Sequence, residues 1–431
     1  MIDKFRNIFQ NKSIKDLITN FVSLTVLQAL NVFLPYLTIP YLIKIVGISN
    51  YGLLSYANAL AFFFMVVVEY GFNNITTRDI SINSDNKKEI ERIYSEVLSS
   101  KILLLLICSI LYVLVVFSFD KLKEDYLIYL LYFGIIIGQA LFPLWLFQGL
   151  QKMKYITYIN VFFKSVFTIC IFLFVKGEST MYLVPLFISS GFILSGITAL
   201  ILAKRLFEIQ FKIAQISSVI QQLKGSYSLF MSEVYIVLVA NVNILILGSF
   251  AGNTATGIYS AAEKIIRAIG NIQSPIINTF FPFISKIINE NSKKAIPVIK
   301  KIQNFGVLFF LGLIVVLYFS AEFIFNLIIN TGDVQNVTDS VSVFKIMLLF
   351  PLFSFLDQVY GKLVLLTTNQ EKKFYRVFLV CSVVNVLLCC VLSYKYSYFG
   401  TALANVIVQL LIVLGMFYYA RPILYNKSFK R

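Results

Sequence analysis

The residues best suited to chemistry form one polar stripe between positions 257 and 286. A segment of that length can cross a bilayer as a helix, at about 1.5 Å of rise per residue. A charge at the bilayer centre costs roughly 2.5–3.5 kcal/mol, so the stripe should face a protein interior or a water-filled cavity. Either Glu263 and Arg267 form a local ion pair, or the stripe lines a transport pathway. Its members follow one another at steps of one, three or four, which is the spacing of one helical face: Ser260, Glu263, Lys264, Arg267, Asn271, Ser274 and Asn278.

The composition is that of a membrane protein. Of 431 residues, 58% are hydrophobic and only 13% are charged, whereas a soluble domain carries about 25% charged residues. We therefore predict an all-α integral membrane protein. The net charge of +16 comes mainly from short connectors between apolar runs, which argues against nucleic acid as a partner. Histidine is absent and the five cysteines lie inside apolar runs, so we expect no metal site and no histidine-based catalysis.

The apolar runs predict about 12 transmembrane helices. Connectors on one side hold 26 Lys and Arg residues and those on the other hold four, which predicts that both termini are cytoplasmic. The first run, from Leu17, is too long for a signal-peptide core and is interpreted as a retained helix. The predicted spans are 17–46, 52–77, 97–119, 126–149, 155–176, 181–205, 226–250, 255–285, 297–329, 340–368, 374–396 and 399–421.

An internal repeat predicts two pseudo-symmetric halves. The pattern of Gly47, Gly52, Ser55 and Ala57 recurs 205 positions later, beginning at Gly252. Similar offsets elsewhere favour two parallel six-helix bundles around a central cleft. We predict an N-terminal bundle over 1–205, a cytoplasmic linker over 206–225 and a C-terminal bundle over 226–431.

Polar residues deep in several spans are candidates for lining that cleft. Lone buried ions are costly, so they should share a cavity or pair between helices. Arg78 and Lys345 lie near span ends and could instead reach an interface, and Asp357 and Lys362 could form a local pair. The candidates are Gln28, Asn31, Asn58, Glu69, Asn73, Lys164, Glu233, Asn241, Glu263, Lys264, Arg267, Asn271 and Asn278, with Arg78, Lys345, Asp357 and Lys362 as further cleft or interface charges.

Several motifs, in order, resemble those of bacterial Wzx-type O-antigen and polysaccharide flippases of the multidrug/oligosaccharidyl-lipid/polysaccharide exporter superfamily. The likeness covers nearly the whole chain. The motifs are Leu34–Tyr41 (LPYLTIPY), Glu69–Phe72 (EYGF), Thr77–Ile80 (TRDI), Pro143–Gly149 (PLWLFQG), Tyr259–Lys264 (YSAAEK) and Phe281–Ser285 (FPFIS).

The resemblance implies a carrier, not an enzyme, in the bacterial cytoplasmic membrane. Its substrate would be undecaprenyl-diphosphate-linked oligosaccharide, and its partners would be membrane lipids and other polysaccharide-assembly membrane proteins. No cofactor is expected, although coupling to H⁺ or Na⁺ is open. The alternatives are a multidrug exporter of the same superfamily, which would favour an acidic cavity, and a membrane-embedded polymerase or glycosyltransferase, for which the external connectors are too short.

Overall fold

A computed structural model describes residues 12–329 and 333–425, with side chains described from residue 37 except at 289–294. The ordered segments in these ranges are helical, which confirms the all-α prediction. The helices are α1 Lys12–Glu69, α2 Phe72–Ile82, α3 Lys87–Ser118, α4 Asp120–Glu124, α5 Tyr126–Leu141, α6 Leu144–Gly149, α7 Met153–Phe174, α8 Leu183–Leu206, α9 Ile216–Ala240, α10 Val242–Asn271, α11 Gln273–Ile328, α12 Val334–Met347, α13 Phe350–Gln358 and α14 Glu371–Tyr425, with a π-helix at Val359–Leu366.

Several of these helices are longer than one membrane crossing, and backbone bends divide them. A straight 58-residue helix such as α1 would extend about 87 Å. Gly47 bends α1 with φ 81°, Gly252 bends α10 with φ 83°, and Ser397 bends α14 with φ 51°. A residue with positive φ interrupts the helical hydrogen bonds, which is why the helix bends there. Each of the three bends falls between two predicted spans.

Nine stretches in the described ranges are long and apolar enough to cross a membrane. The stretches Leu37–Ile82 and Glu371–Tyr425 each cover parts of two predicted spans. The charged span 255–285 falls outside the nine because its polar stripe lowers its hydropathy. The protein is therefore a multi-pass membrane protein, and the count of twelve stays a prediction.

The chain folds into two compact units that divide it differently from the predicted bundles. One unit contains residues 1–38 and 60–234, and the other contains 39–59 and 235–431. The segment Ile39–Ala59 thus packs with the second unit although it belongs to the first sequence repeat. The predicted boundaries at 205 and 226 remain untested as functional divisions.

In the first unit, α5 and α8 pack closely because small residues line their contact. A Cβ atom added at Gly138 would lie 2.2 Å from the carbonyl carbon of Phe192, so only glycine permits this approach. The nearby core surrounds Trp145, which is fully buried with Phe72 and Tyr94.

The predicted linker 206–225 is non-helical only over residues 207–215, and its remainder from Ile216 is the start of α9. Alternate backbone N–H groups of this non-helical part, between Gln210 and Ala214, donate hydrogen bonds to side chains one turn apart on α3. Two extended residues advance about 6.6 Å and four helical residues about 6 Å, so the two spacings match. The pairs are Gln210 N to Glu91 Oε1 at 3.2 Å, Lys212 N to Ser95 Oγ at 3.1 Å and Ala214 N to Ser99 Oγ at 3.0 Å.

The core of the second unit is formed by α11, α13, the π-helix and α14. Its fully buried apolar residues include Val359, Leu363 and Met416. This core surrounds the buried Asp357 described below.

Candidate functional site

The first candidate cluster is a buried ion pair inside the first unit. Lys101 Nζ on α3 lies 2.9 Å from Glu69 Oε1 at the end of α1, and the two side chains are 1% and 9% exposed. The other Glu69 oxygen accepts a hydrogen bond of 3.1 Å from Asn73 Nδ2 on α2. Both oxygens of Glu69 are therefore held by protein donors.

A break in the backbone brings Glu69 and Asn73 together. Tyr70 and Gly71 have φ values of 47° and 69°, and this left-handed pair ends α1 before α2 begins. The Tyr70 ring stacks on Phe230 of α9 at 4.2 Å between ring centroids. A Cβ atom at Gly71 would lie 2.8 Å from Phe230 N, so the break fits closely against α9.

A second carboxylate joins this cluster. Glu233 on α9 accepts a hydrogen bond from the backbone of Gly71 and interacts electrostatically with both Glu69 and Lys101. Two acids thus share one buried base. One base can neutralise only one of the two acids.

The second cluster lies on α10 within the second unit. Arg267 Nε donates to Glu263 Oε1 at 2.6 Å, and the Glu263 side chain is only 4% exposed. A second Arg267 nitrogen donates to the carbonyl oxygen of Ala240, the last residue of α9. The predicted Glu263–Arg267 pair is therefore present, and Arg267 also fastens α10 to the end of α9.

Lys264 differs from its neighbour Arg267. Its ammonium lies 5.0 Å from the centroid of the Tyr51 ring, a cation–π distance. It is half-buried, and it forms no ion pair with any side chain in the described ranges. Lys264 is thus a cation of the stripe that no carboxylate in the described part of the chain contacts at ion-pair distance.

Two side-chain amides of α14 donate hydrogen bonds to α9 and α10. Asn405 donates to the Tyr259 hydroxyl at 2.9 Å, and Asn385 donates to Asn243 Oδ1 and to the Leu238 carbonyl, each at 3.0 Å. Sequence reasoning did not single out Asn385, Asn405 or Lys101. Their signal was a polar residue inside an apolar run, but the pattern did not show which way they face.

Other predicted residues lie apart from these clusters. Asp357 is buried and accepts hydrogen bonds from Gln358 at 2.8 Å and from Gln409. Lys362 instead donates to Asn278 Oδ1 at 2.7 Å. The local pair considered for Asp357 and Lys362 does not form.

Two charges lie where an interface position was considered. Arg78 is 71% exposed and contacts Asp79 at 3.1 Å. Lys345 contacts the 76% exposed Glu322 at 3.7 Å. Lys345 and Glu322 line a pocket of about 290 Å³ formed by α11 and α12.

The remaining candidates have weaker structural support. Lys164 is half-buried, with its ammonium 5.3 Å from the centroid of the Phe192 ring. Asn58 is half-buried, Asn241 precedes the first residue of α10, and Asn271 is exposed. The side chains of Gln28 and Asn31 lie outside the described residues.

Buried ionic clusters among long apolar helices are typical of a polytopic membrane protein of the transporter class, since buried charges in such proteins mark pathways for polar solutes. The sequence model of the family described as "Polysaccharide biosynthesis protein" matches residues 17–288. The chain belongs to this family, which confirms the resemblance seen in the motifs.

Two related bacterial sequences are similar over nearly their full length. Each is described as "Putative O-antigen transporter". The Escherichia coli (strain K12) protein is 27% identical over 93% of this chain and 96% of its own length. The Shigella dysenteriae protein is 27% identical over 92% of this chain and 98% of its own length.

Solved transporter structures share the fold. The lipid II flippase MurJ in an inward closed conformation has a TM-score of 0.73 at 18% identity, covering 95% of this chain and 87% of MurJ. An inward-facing multidrug resistance MATE family transporter of the MOP superfamily has a TM-score of 0.66 at 12% identity, covering 91% and 99%. At these identities the likeness establishes the fold alone.

Proposed function

We propose that this protein is a lipid-linked oligosaccharide flippase. It moves undecaprenyl-diphosphate-linked repeat units of the O-antigen or capsule type from the cytoplasmic to the outer leaflet of the bacterial cytoplasmic membrane. The family match and the two transporter relatives support this function. The excess of Lys and Arg in alternate connectors supports a topology with both termini in the cytoplasm.

The half-buried Lys264 is the observation that carries the proposal. A half-buried ammonium in a membrane protein, without a carboxylate partner among the described residues, attracts an anion. The diphosphate of the lipid carrier is such an anion. Arg267 is less available for it, because Glu263 and the Ala240 carbonyl already accept its hydrogen bonds.

The remaining polar residues would hold the sugar and couple the cycle. Asn and Ser side chains along α10 would hydrogen-bond sugar hydroxyls while the lipid tail stays in the bilayer. Alternating access would come from rocking of the two sequence halves. Glu69, Glu233 and Glu263 are the acids available to bind a coupling proton or Na⁺. Other membrane proteins of polysaccharide assembly would act as partners.

Export of organic cations is the second candidate function, because multidrug transporters share this fold. Lys264 argues against it, since an ammonium without an acidic partner repels a cationic drug.

Reconstituted protein would separate these functions. Liposomes would carry undecaprenyl-diphosphate oligosaccharide, and an impermeant oxidant added outside would follow the appearance of the glycan there. We expect flipping by the wild type, a fall of about tenfold or more in initial rate for Lys264→Gln, and little change for Lys345→Gln, whose ammonium has an acid partner. Wild-type protein that leaves the glycolipid in place but transports organic cations would overturn the proposal.

A further inference from the structure

A polar pocket of about 290 Å³ lies between the end of α11 and the facing side of α12, inside the second compact unit. Small-ligand sites usually have volumes of about 300–1,000 Å³, so this volume suits a headgroup and not a whole lipid. The lining contains one acid, one base and three neutral polar side chains. These are Glu322 and Asn326 of α11 and Thr338, Ser342 and Lys345 of α12.

The acid and the base of the pocket form a long ion pair. Lys345 Nζ lies 3.7 Å from Glu322 Oε1, which is longer than a hydrogen bond. The Lys345 ammonium also lies 4.8 Å from the centroid of the Tyr318 ring, and this cation–π contact helps to hold it in place. An exposed ion pair contributes only about 0–1 kcal/mol, and Glu322 is largely exposed. A ligand that offers both an anionic and a cationic group can therefore separate the pair at little cost.

The pocket lies at the depth expected for a membrane interface. Glu322 precedes the predicted end of its span, residue 329, by seven positions, and Lys345 follows the predicted start of the next span, residue 340, by five. At about 1.5 Å per residue, the two charges lie about 10 and 8 Å along their helices from that end. This depth is that of the boundary between headgroups and acyl chains, and the predicted topology places it in the outer leaflet.

An apolar stripe on α11 borders the pocket. Phe319, Phe323 and Leu327 are all exposed, and their spacing of four places them on one helical face. Phe323 directly follows Glu322 in the sequence, so the stripe lies beside the charged wall. An exposed apolar face in a multi-pass membrane protein contacts acyl chains. The headgroup and the tail of one amphiphile would therefore both meet matching surfaces.

We propose that this pocket binds the zwitterionic headgroup of an aminophospholipid, with the phosphate at Lys345 and the ammonium at Glu322. The exposed Asn326 amide adds a donor for the phosphate. Thr338 and Ser342 each donate their hydroxyl proton to a backbone carbonyl of α12, so their oxygens are left to accept from the ammonium. An anionic headgroup would leave Glu322 facing a negative group, and a choline headgroup has no N–H to donate.

The lipid is a bound companion of the protein and not its cargo, so the site can be measured without transport. Native mass spectrometry of the full chain in detergent would compare phosphatidylethanolamine, phosphatidylglycerol and phosphatidylcholine with identical acyl chains. We expect the affinity for phosphatidylethanolamine to be about tenfold higher than for the other two, because only its ammonium donates a charged hydrogen bond to Glu322.

Two substitutions in the pocket should have different effects. Lys345→Gln should weaken binding of all three lipids by about tenfold, because each carries a phosphate. Glu322→Gln should lower only the affinity for phosphatidylethanolamine, to the value for phosphatidylglycerol. Lys395→Gln is the control, since Lys395 is exposed and lies outside the pocket lining. Wild type and variant would be mixed in one sample, so that nonspecific attachment of lipid affects both equally.

A second pair of variants separates a bound lipid from a bound free headgroup. Phe323→Ala should weaken binding of phosphatidylethanolamine several-fold, because it removes apolar surface beside the pocket. Phe305→Ala should leave it unchanged. Both phenylalanines are on α11 and are 73% exposed, but Phe305 is 17 positions before Glu322. Soluble phosphoethanolamine should bind much more weakly than the lipid and equally to both variants.

Equal affinity of the wild type for the three lipids would overturn the proposal. So would a loss in Lys345→Gln no greater than that in Lys395→Gln. Soluble phosphoethanolamine that binds as tightly as the lipid, with no effect of Phe323→Ala, would overturn the assignment to a lipid. Glycolipid flipping by a protein that shows no preference among the lipids would support the proposed function and overturn only this site.

Discussion

Replacing Lys101 by Met tests the buried cluster of the first unit. The Lys101 ammonium lies 2.9 Å from Glu69 and its side chain is 1% exposed. Glu233 interacts with the same ammonium from α9. Methionine fills a similar volume without a charge, so the change removes the base and leaves most of the packing.

The expected loss in the free energy of unfolding follows from the charges that remain buried in each variant. Lys101→Met leaves both carboxylates without a base, and breaking a buried pair costs about 3–5 kcal/mol. Glu69→Gln should cost less, about 1–3 kcal/mol, because Lys101 keeps Glu233 as a counter-charge and loses one charged hydrogen bond. Lys101→Met should therefore lower the free energy of unfolding more than Glu69→Gln does, because only Glu69→Gln keeps an acid beside the base.

The single tryptophan of the chain makes the measurement specific to this unit. Trp145 is fully buried and its ring lies 5.8 Å from that of Tyr94. Its fluorescence during denaturant titration in detergent micelles would give the free energy of unfolding. Lys87→Met is the control: its partner Glu208 is 78% exposed, so little change is expected.

Two results would refute this reasoning. Lys101→Met could unfold at the same denaturant concentration as the control, which would mean that the buried pair contributes nothing. Alternatively, Glu69→Gln could cost as much as Lys101→Met, which would mean that Glu233 is no partner for the lysine.

Three further predictions concern packing, a buried acid and the connector. Gly138→Ala should lower the free energy of unfolding by about 1–3 kcal/mol in the same assay, because its methyl would meet the backbone of Phe192; an unchanged value would contradict the close fit. Asp357→Asn should stay within about 1 kcal/mol of wild type in thermal unfolding, because Asp357 forms no ion pair within the described ranges and asparagine can keep an amide hydrogen bond; a large loss would reveal a cation partner. Ser95→Ala should speed hydrogen exchange at the Lys212 amide by about tenfold, because that amide loses its 3.1 Å acceptor, and unchanged exchange would count against docking of the connector on α3.

The sequence alone determined the class of the protein and much of its internal organisation. Low charge content and long apolar runs require a membrane solvent, because no soluble core could bury so much apolar surface. The repeat at Gly47 and Gly252 predicted equivalent features, and both glycines bend their helices with matching φ values. The spacing of Glu263 and Arg267 also predicted their pair, because residues four apart meet on any helix.

Which distant residues meet depends on how the helices pack. Lys101 and Glu69 are 32 positions apart, and Asp357 and Gln409 are 52 apart, so no helical periodicity relates them. The second hydrogen bond of Arg267 goes to the carbonyl oxygen of Ala240, where α9 ends. A carbonyl at the end of a helix has no partner within that helix, so this contact depends on where α9 ends. Local spacing determines the face on which a side chain lies, whereas its partner depends on which helices pack together, and that depends on the close fit of whole surfaces in three dimensions.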